Sequence, residues 1–242
     1  MLEAAFWGFV GGFSLLLGAL FGIKLPTSQR TIGLIMGFGA GVLISALTFE
    51  LTREAFETGG VDAVAVGLAA GATSFFLGDW YLDHRGGQHR KRSGGQQSGG
   101  SATAIVLGAV MDGIPESVAI GISLLGGAQV SAAVVAAVFL SNVPESLSAA
   151  TGLQKAGRST GYILGMWSVV TGVSALASAL GFAFVGGASP NLIAAIQAFA
   201  AGAILTMLSD TMMPEAFEHG GSVVGLVTVL GFSVAFVLTT LE

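Results

Sequence analysis

Long apolar runs separated by short polar breaks fill this chain, and its charges gather almost entirely at the breaks. A helix that crosses a bilayer needs about 20 predominantly apolar residues. Cutting at charges and turn clusters predicts eight spans, at 2–23, 31–52, 61–82, 102–125, 129–152, 160–184, 191–213 and 222–241. One long polar insert, DHRGGQHRKRSGGQQSGGS at 83–101, is rich in Gly, Ser and Gln and reads as a flexible cytoplasmic loop. The expected architecture is one all-α integral membrane domain over residues 1–242.

Composition sharpens this picture. Only 10% of the residues are charged, against about 25% in a soluble domain, and the mean hydropathy is +0.82. The 38 glycines are scattered through apolar runs without a collagen period, as expected where helices approach closely in lipid. The runs GFVGG (8–12), GFGAG (37–41) and GRSTGYILG (157–165) carry the G-x-x-x-G spacing of packing faces, which also suit a homodimer. The absence of cysteine excludes disulfides and thiolate ligands. A net charge of −5 offers no surface for nucleic acid. The first stretch has neither a basic n-region nor a small-residue cleavage site, so it is expected to be a retained span.

Basic residues set the expected orientation. Eight of the nine (Lys24, Arg30, Arg85, Arg90, Lys91, Arg92, Lys155, Arg158) follow spans 1, 3 and 5, and only Arg53 follows span 2. Those odd-numbered loops are then cytoplasmic and both termini lie outside a multi-pass protein of the cell membrane.

The chain repeats itself. GFGAGVLISALTFELTREAFETGG (37–60) aligns with AFAAGAILTMLSDTMMPEAFEHGG (198–221), each closing on EAFExGG. Spans 2 and 7 are an odd number apart, so the copies cross in opposite directions, the mark of an inverted repeat whose substrate site lies near the midplane. GIPES (113–117) in span 4 and NVPES (142–146) in span 5 form a second antiparallel pair. A 3+2+3 arrangement would bring these two motifs face to face.

Asp112, Glu116 and Glu145 fall near the middle of their spans. Each charge there costs about 2.5–3.5 kcal/mol. No Lys, Arg or His lies within a span at that depth, so the expected compensation is a proton or a bound cation rather than a salt bridge. Asp112 and Glu116 stand i and i+4 on one helical face, and Ser141 or Asn142 with Glu145 repeats the spacing. Pro115 and Pro144 cannot bond the carbonyls of Met111 and Leu140, so broken helices would add backbone oxygens to the site. Three carboxylates, an amide and carbonyls make an all-oxygen cage for a divalent cation.

DGIPES and NVPES resemble the paired metal-site motifs of the ZIP family, the ZRT/IRT-like divalent metal transporters, here of prokaryotic type. The resemblance implies eight spans, outside termini and a 3+2+3 inverted repeat. It also implies movement of metal into the cytoplasm by alternating access, with zinc foremost. Position by position, Asp112 matches the motif histidine, Glu116 and Glu145 the bridging glutamates, and Ser141 and Asn142 the opening of the span 5 motif. Gly113 and Ser141 replace the usual Asn and His or Gln, and span 6 offers Thr171 where many members supply a further carboxylate. One main site follows, built from Asp112, Glu116 and Glu145 with Asn142 and Ser141 assisting. Lacking imidazole, it should be more open to Mn²⁺, Fe²⁺ or Cd²⁺ than a His-bearing one. The metal is transported substrate rather than cofactor, and the expected partners are metal ions and the bilayer.

Glu50 toward the outer end of span 2 and Asp210 in the inner part of span 7 are candidate way-stations, though each also suits an ordinary interfacial acid. Glu215, Glu218 and His219, with Glu54 and Glu57, flank the boundary and read as vestibule or solvent-facing residues. The rival readings are an intramembrane hydrolase and a metal-gated channel or sensor. No span contains histidine for an H-E-x-x-H zinc site or a serine protease base, and no second Asp sits at the depth of Asp112, so an enzyme is not expected.

Overall fold

Serine opens most of the helices. Ser28, Ser101, Ser131, Ser159 and Ser189 each cap an N-terminus, the side-chain oxygen accepting from the N–H three residues on (Thr31, Ala104, Val134, Tyr162 and Leu192). Capping matters doubly at a membrane boundary, where an unbonded N–H has little water to turn to. The computed structural model describes residues 1–125 and 130–240, and among these the regular structure is entirely helical. The helices are α1 (Leu2–Lys24), α2 (Gln29–Ala46), α3 (Arg53–Leu82), α4 (Ala102–Ser123) and α5 (Ala132–Lys155). They continue with α6 (Thr160–Val185), α7 (Pro190–Met207), α8 (Met213–Gly220) and α9 (Val223–Thr239). Positions 129 and 241, predicted limits of spans 5 and 8, lie outside the described residues.

Six continuous helical stretches among the described residues are long and apolar enough to cross a membrane, and α9 is a shorter apolar helix. Large apolar side chains, among them Phe184, Leu226 and Leu77, point outward over half exposed. Water would penalise that surface, whereas lipid is its matching solvent. The chain is a multi-pass helical membrane protein.

The two repeat copies share an unusual backbone. α2 runs into a π-helical turn at Leu47–Thr52, continues as the start of α3 and breaks at Gly60 (φ 73°, ψ −175°). α7 runs into a π-helical turn at Leu208–Met212, continues as α8 and breaks at Gly221 (φ 66°, ψ −160°). Both breaks need a positive φ that only glycine reaches without strain, which explains the GG that closes each copy. The predicted end of span 2 at residue 52 is therefore a π turn, and the helix goes on to the glycine.

Packing follows small residues. α2 lies on α9 and α3 on α7; α1 lies on α5 and α6, and α4 on α6. Gly8 and Gly12 admit Ser174 and Ser178 of α6, and Gly37 and Gly41 admit Val224 and Thr228 of α9. Gly161 and Gly165, by contrast, face open space. A Cβ on Gly41 would overlap the Thr228 carbonyl. Gly41→Ala is accordingly expected to cost about 1–3 kcal/mol through overpacking, seen as a lower midpoint of thermal unfolding in detergent. Gly161→Ala should leave that midpoint unchanged.

Residues 83–101, a polar insert by composition, are folded inward. A π turn at Asp83–Gly87 and a short 3₁₀ turn at Gln96–Gly99, whose Gln97 is buried, bracket a segment in which Arg90, Lys91 and Ser93 are buried. Lys155 Nζ donates to the Ser93 carbonyl (2.9 Å), and Arg158 Nη2 donates to the Gly100 carbonyl (3.1 Å). These two basic residues of the next cytoplasm-assigned loop thus clamp the insert onto the end of the bundle.

Candidate functional site

α4 and α5 carry the paired proline motifs. Both helices run continuously through Pro115 and Pro144, so the breaks expected there do not occur. A proline removes one backbone donor, and a locally supported helix can absorb that loss. The serine of each PES motif bonds back into its own helix. Ser117 Oγ donates to the Gly113 carbonyl (2.6 Å) and Ser146 Oγ to the Asn142 carbonyl (2.7 Å).

Asp112, Glu116 and Glu145 are all interior, with 1%, 2% and 4% of their surface exposed. Their compensation differs from the sequence expectation, because the insert delivers cations to them. Arg90 donates from Nε to Asp112 Oδ2 (2.8 Å) and from Nη2 to Asp112 Oδ1 (2.9 Å), a two-pronged pairing, and Nη2 also reaches Asp79. Lys91 Nζ lies 3.1 Å from Glu145 Oε2 and 3.4 Å from Asp112 Oδ2. It is correct that no span contains a basic residue at this depth; the salt bridges come from a loop that enters from one end. Glu116 is left over, and its Oε1 is buried without a hydrogen-bond partner.

Electrostatics favour the charged forms of both basic groups. Burial works against the Lys91 ammonium, but Asp112 and Glu145 outweigh it and hold its pKa above the ordinary lysine value. Arg90 is likewise raised, against its burial, by Asp112 and Asp79.

The loop is also anchored beyond the proline motifs. Glu215 on α8, fully buried, accepts from Ser93 N (2.8 Å), Ser93 Oγ (2.6 Å) and Arg92 Nη1 (3.1 Å). Glu218 also pairs with Arg92, and His219 Nε2 lies 3.3 Å from Glu215 Oε1. Glu215 and Glu218 hold the loop, and His219 supports Glu215, where sequence placed a vestibule. Glu215→Ala is expected to strand the Ser93 N–H and to loosen the loop at a cost of about 1–3 kcal/mol, measurable as faster amide exchange at Ser93.

The assisting residues donate to backbone carbonyls. Asn142 Nδ2 donates to the Gly11 carbonyl of α1 (3.0 Å), and Ser141 Oγ donates to the Val138 carbonyl (3.0 Å). Thr171 Oγ1 lies 2.8 Å from the carbonyls of Trp167 and of Gly12, tying α6 to α1. Glu50 Oε2 accepts from Ser131 Oγ (3.0 Å) at the start of α5. Asp210 is exposed and lines a cavity of about 220 Å³ shared with Asp79, Asp83, Arg90, Lys91 and Arg92.

Among the described residues, no three His, Asp or Glu side chains are grouped to hold a metal ion in this conformation. Lys91 stands between Asp112 and Glu145, where such a group would close. The donor chemistry itself suits a hard or borderline divalent cation, since Asp112, Glu116 and Glu145 present only oxygens. Arg90, Lys91, Arg92 and Ser93 escaped sequence reasoning. Their signal was the run RKRS, which brings three cations to a chain whose buried acids have none nearby.

No protein-family model matches the chain. It is similar to a protein of Arabidopsis thaliana described as a "putative zinc transporter", with 26% identity over 208 residues. The match covers 84% of this chain and 33% of that protein, so the chain spans about a third of the length of this relative.

Proposed function

We propose that this protein is a divalent metal carrier of ZIP type, with zinc the first candidate and Mn²⁺, Fe²⁺ or Cd²⁺ also accepted. The observation that carries the reading is a buried constellation of Asp112, Glu116 and Glu145 on two helices with matching proline motifs, in which one carboxylate oxygen, Glu116 Oε1, has no hydrogen-bond partner. A group this costly in a membrane interior is retained for a cation that must be stripped of water and held. The similarity to the plant protein supports the same substrate class.

The architecture under this proposal is eight spans in a 3+2+3 inverted repeat. Exchanging α1 with α6, α2 with α7, α3 with α9 and α4 with α5 turns each principal packing pair into another: α3 on α7 becomes α9 on α2, and α1 on α5 becomes α6 on α4. The matched π turns and glycine breaks support the same symmetry. α4 and α5 then flank the pseudo-two-fold axis, and one set of spans rocks against the other around the site they carry. Both termini lie outside the cell membrane, residues 83–101 face the cytoplasm, and metal moves inward. Metal entering from outside would meet Glu50 and leave past Asp210 and the cavity beside it.

Influx of Zn²⁺, Mn²⁺, Fe²⁺, Cd²⁺ and Mg²⁺ into proteoliposomes loaded with a metal-responsive dye tests the reading. Saturable uptake is the expected result and ranks the substrates. Unsaturable, ohmic flux would make the protein a channel, and binding without flux would make it a sensor.

A further inference from the structure

The basic run of the insert does more than neutralise acids. Arg90 and Lys91 are both buried, and together they carry two positive charges, the charge of one divalent ion, on and beside the carboxylates assigned to the metal. They arrive from a loop, not from a span, so their position is conditional on that loop staying docked. Docking is specific. The Lys91 carbonyl accepts from Ser148 Oγ (2.7 Å), Ser93 is bonded twice by Glu215, and Arg92 reaches both Glu215 and Glu218. The same three basic residues line the cavity of about 220 Å³ that opens beside Asp79, Asp83 and Asp210.

We infer that residues 90–93 form a tethered cation plug, in which Lys91 with Arg90 occupies the metal's carboxylates from the cytoplasmic side and competes directly with the transported ion. The inference rests on the carrier reading above. In the plugged state the exit is filled and the empty site is electrically balanced without a metal. An arriving divalent ion finds Glu116 Oε1 without a hydrogen bond, then contests Glu145 and Asp112 with Lys91; once it wins, the loop withdraws and the exit opens. The plug is thus an autoinhibitory contact that only occupied carriers release. By reciprocity, docking of the plug weakens metal binding by the same factor by which bound metal weakens docking.

The test uses the full chain in detergent, with Mn²⁺ as the probe because it binds thiols weakly. Lys91→Met removes the competing charge, and Lys91→Arg retains it. If the plug is closed in nine of ten molecules or more, Lys91→Met binds Mn²⁺ at least about tenfold tighter than wild type, while Lys91→Arg stays near the wild-type affinity. The natural lack of cysteine allows a second reading. Ser93→Cys, buried in the docked loop, should react slowly with a maleimide in buffer and several-fold faster in saturating Mn²⁺. Adding Glu145→Gln to that variant should remove the acceleration. Unchanged affinity in Lys91→Met, or labelling indifferent to bound Mn²⁺, would overturn the plug while leaving the carrier intact. No Mn²⁺ binding by wild type, Lys91→Met or Lys91→Arg would instead overturn the carrier reading, and the plug with it.

Discussion

Glu145→Gln is expected to lower saturable metal influx at least about a hundredfold, because even residues behind a metal's direct ligands are worth about 10–100-fold. The substitution keeps the shape of the side chain and removes the charge that must replace the ion's hydration shell. Glu145 is buried on α5 and faces Lys91 at 3.1 Å, so the amide also leaves Lys91 with Asp112 alone as its close acidic partner. Part of any loss could therefore come from a rearranged loop. Glu116→Gln separates the two causes, since Oε1 of that side chain has no partner to lose. Loss of influx in both variants, with the protein still monodisperse, places the ion among these carboxylates. Undiminished influx in both would put the pathway elsewhere and end the site assignment.

Arg90→Met carries the second large effect, on stability. The Arg90 side chain is 3% exposed and pairs with Asp79 and Asp112, so its removal leaves two buried carboxylates without their principal cation. Breaking a buried pair by removing one partner costs about 3–5 kcal/mol, much of it the burial of the stranded charge. A clear drop in the midpoint of thermal unfolding is expected, followed through the fluorescence of Trp167, which is 1% exposed. Arg90→Met with Asp112→Asn should recover part of that loss, since the double variant strands one less charge. Wild-type stability in Arg90→Met would mean that the loop is not held by these bonds.

The helices were legible from hydropathy because the constraint behind them is local. In lipid each segment must satisfy its own backbone, so a run of apolar residues is enough to specify a helix. The repeat was legible too, down to the glycines that close each copy, whose positive φ the EAFExGG ending foreshadows. The π turns at Leu47–Thr52 and Leu208–Met212 were not, since a one-residue widening of a helix leaves no mark in an apolar pattern. Asn142, Ser141 and Thr171 show a different gap. Their donors bond carbonyls of α1, α5 and α6, a pairing between helices that sequence spacing does not reveal, because a buried hydroxyl or amide takes the nearest acceptor.

What the sequence determined alone, then, is that the chain crosses a membrane repeatedly, that one stretch of it is repeated, and that Asp112, Glu116 and Glu145 sit within long apolar runs where each needs compensation. What only the tertiary structure decided is where the compensation comes from. Arg90 reaches Asp112 across 22 positions, and Ser93 reaches Glu215 across 122. Charge pairing is strong at contact and indifferent to separation along the chain, so a basic run whose composition reads as a solvated loop can be drawn into the interior by acids that no neighbouring residue neutralises.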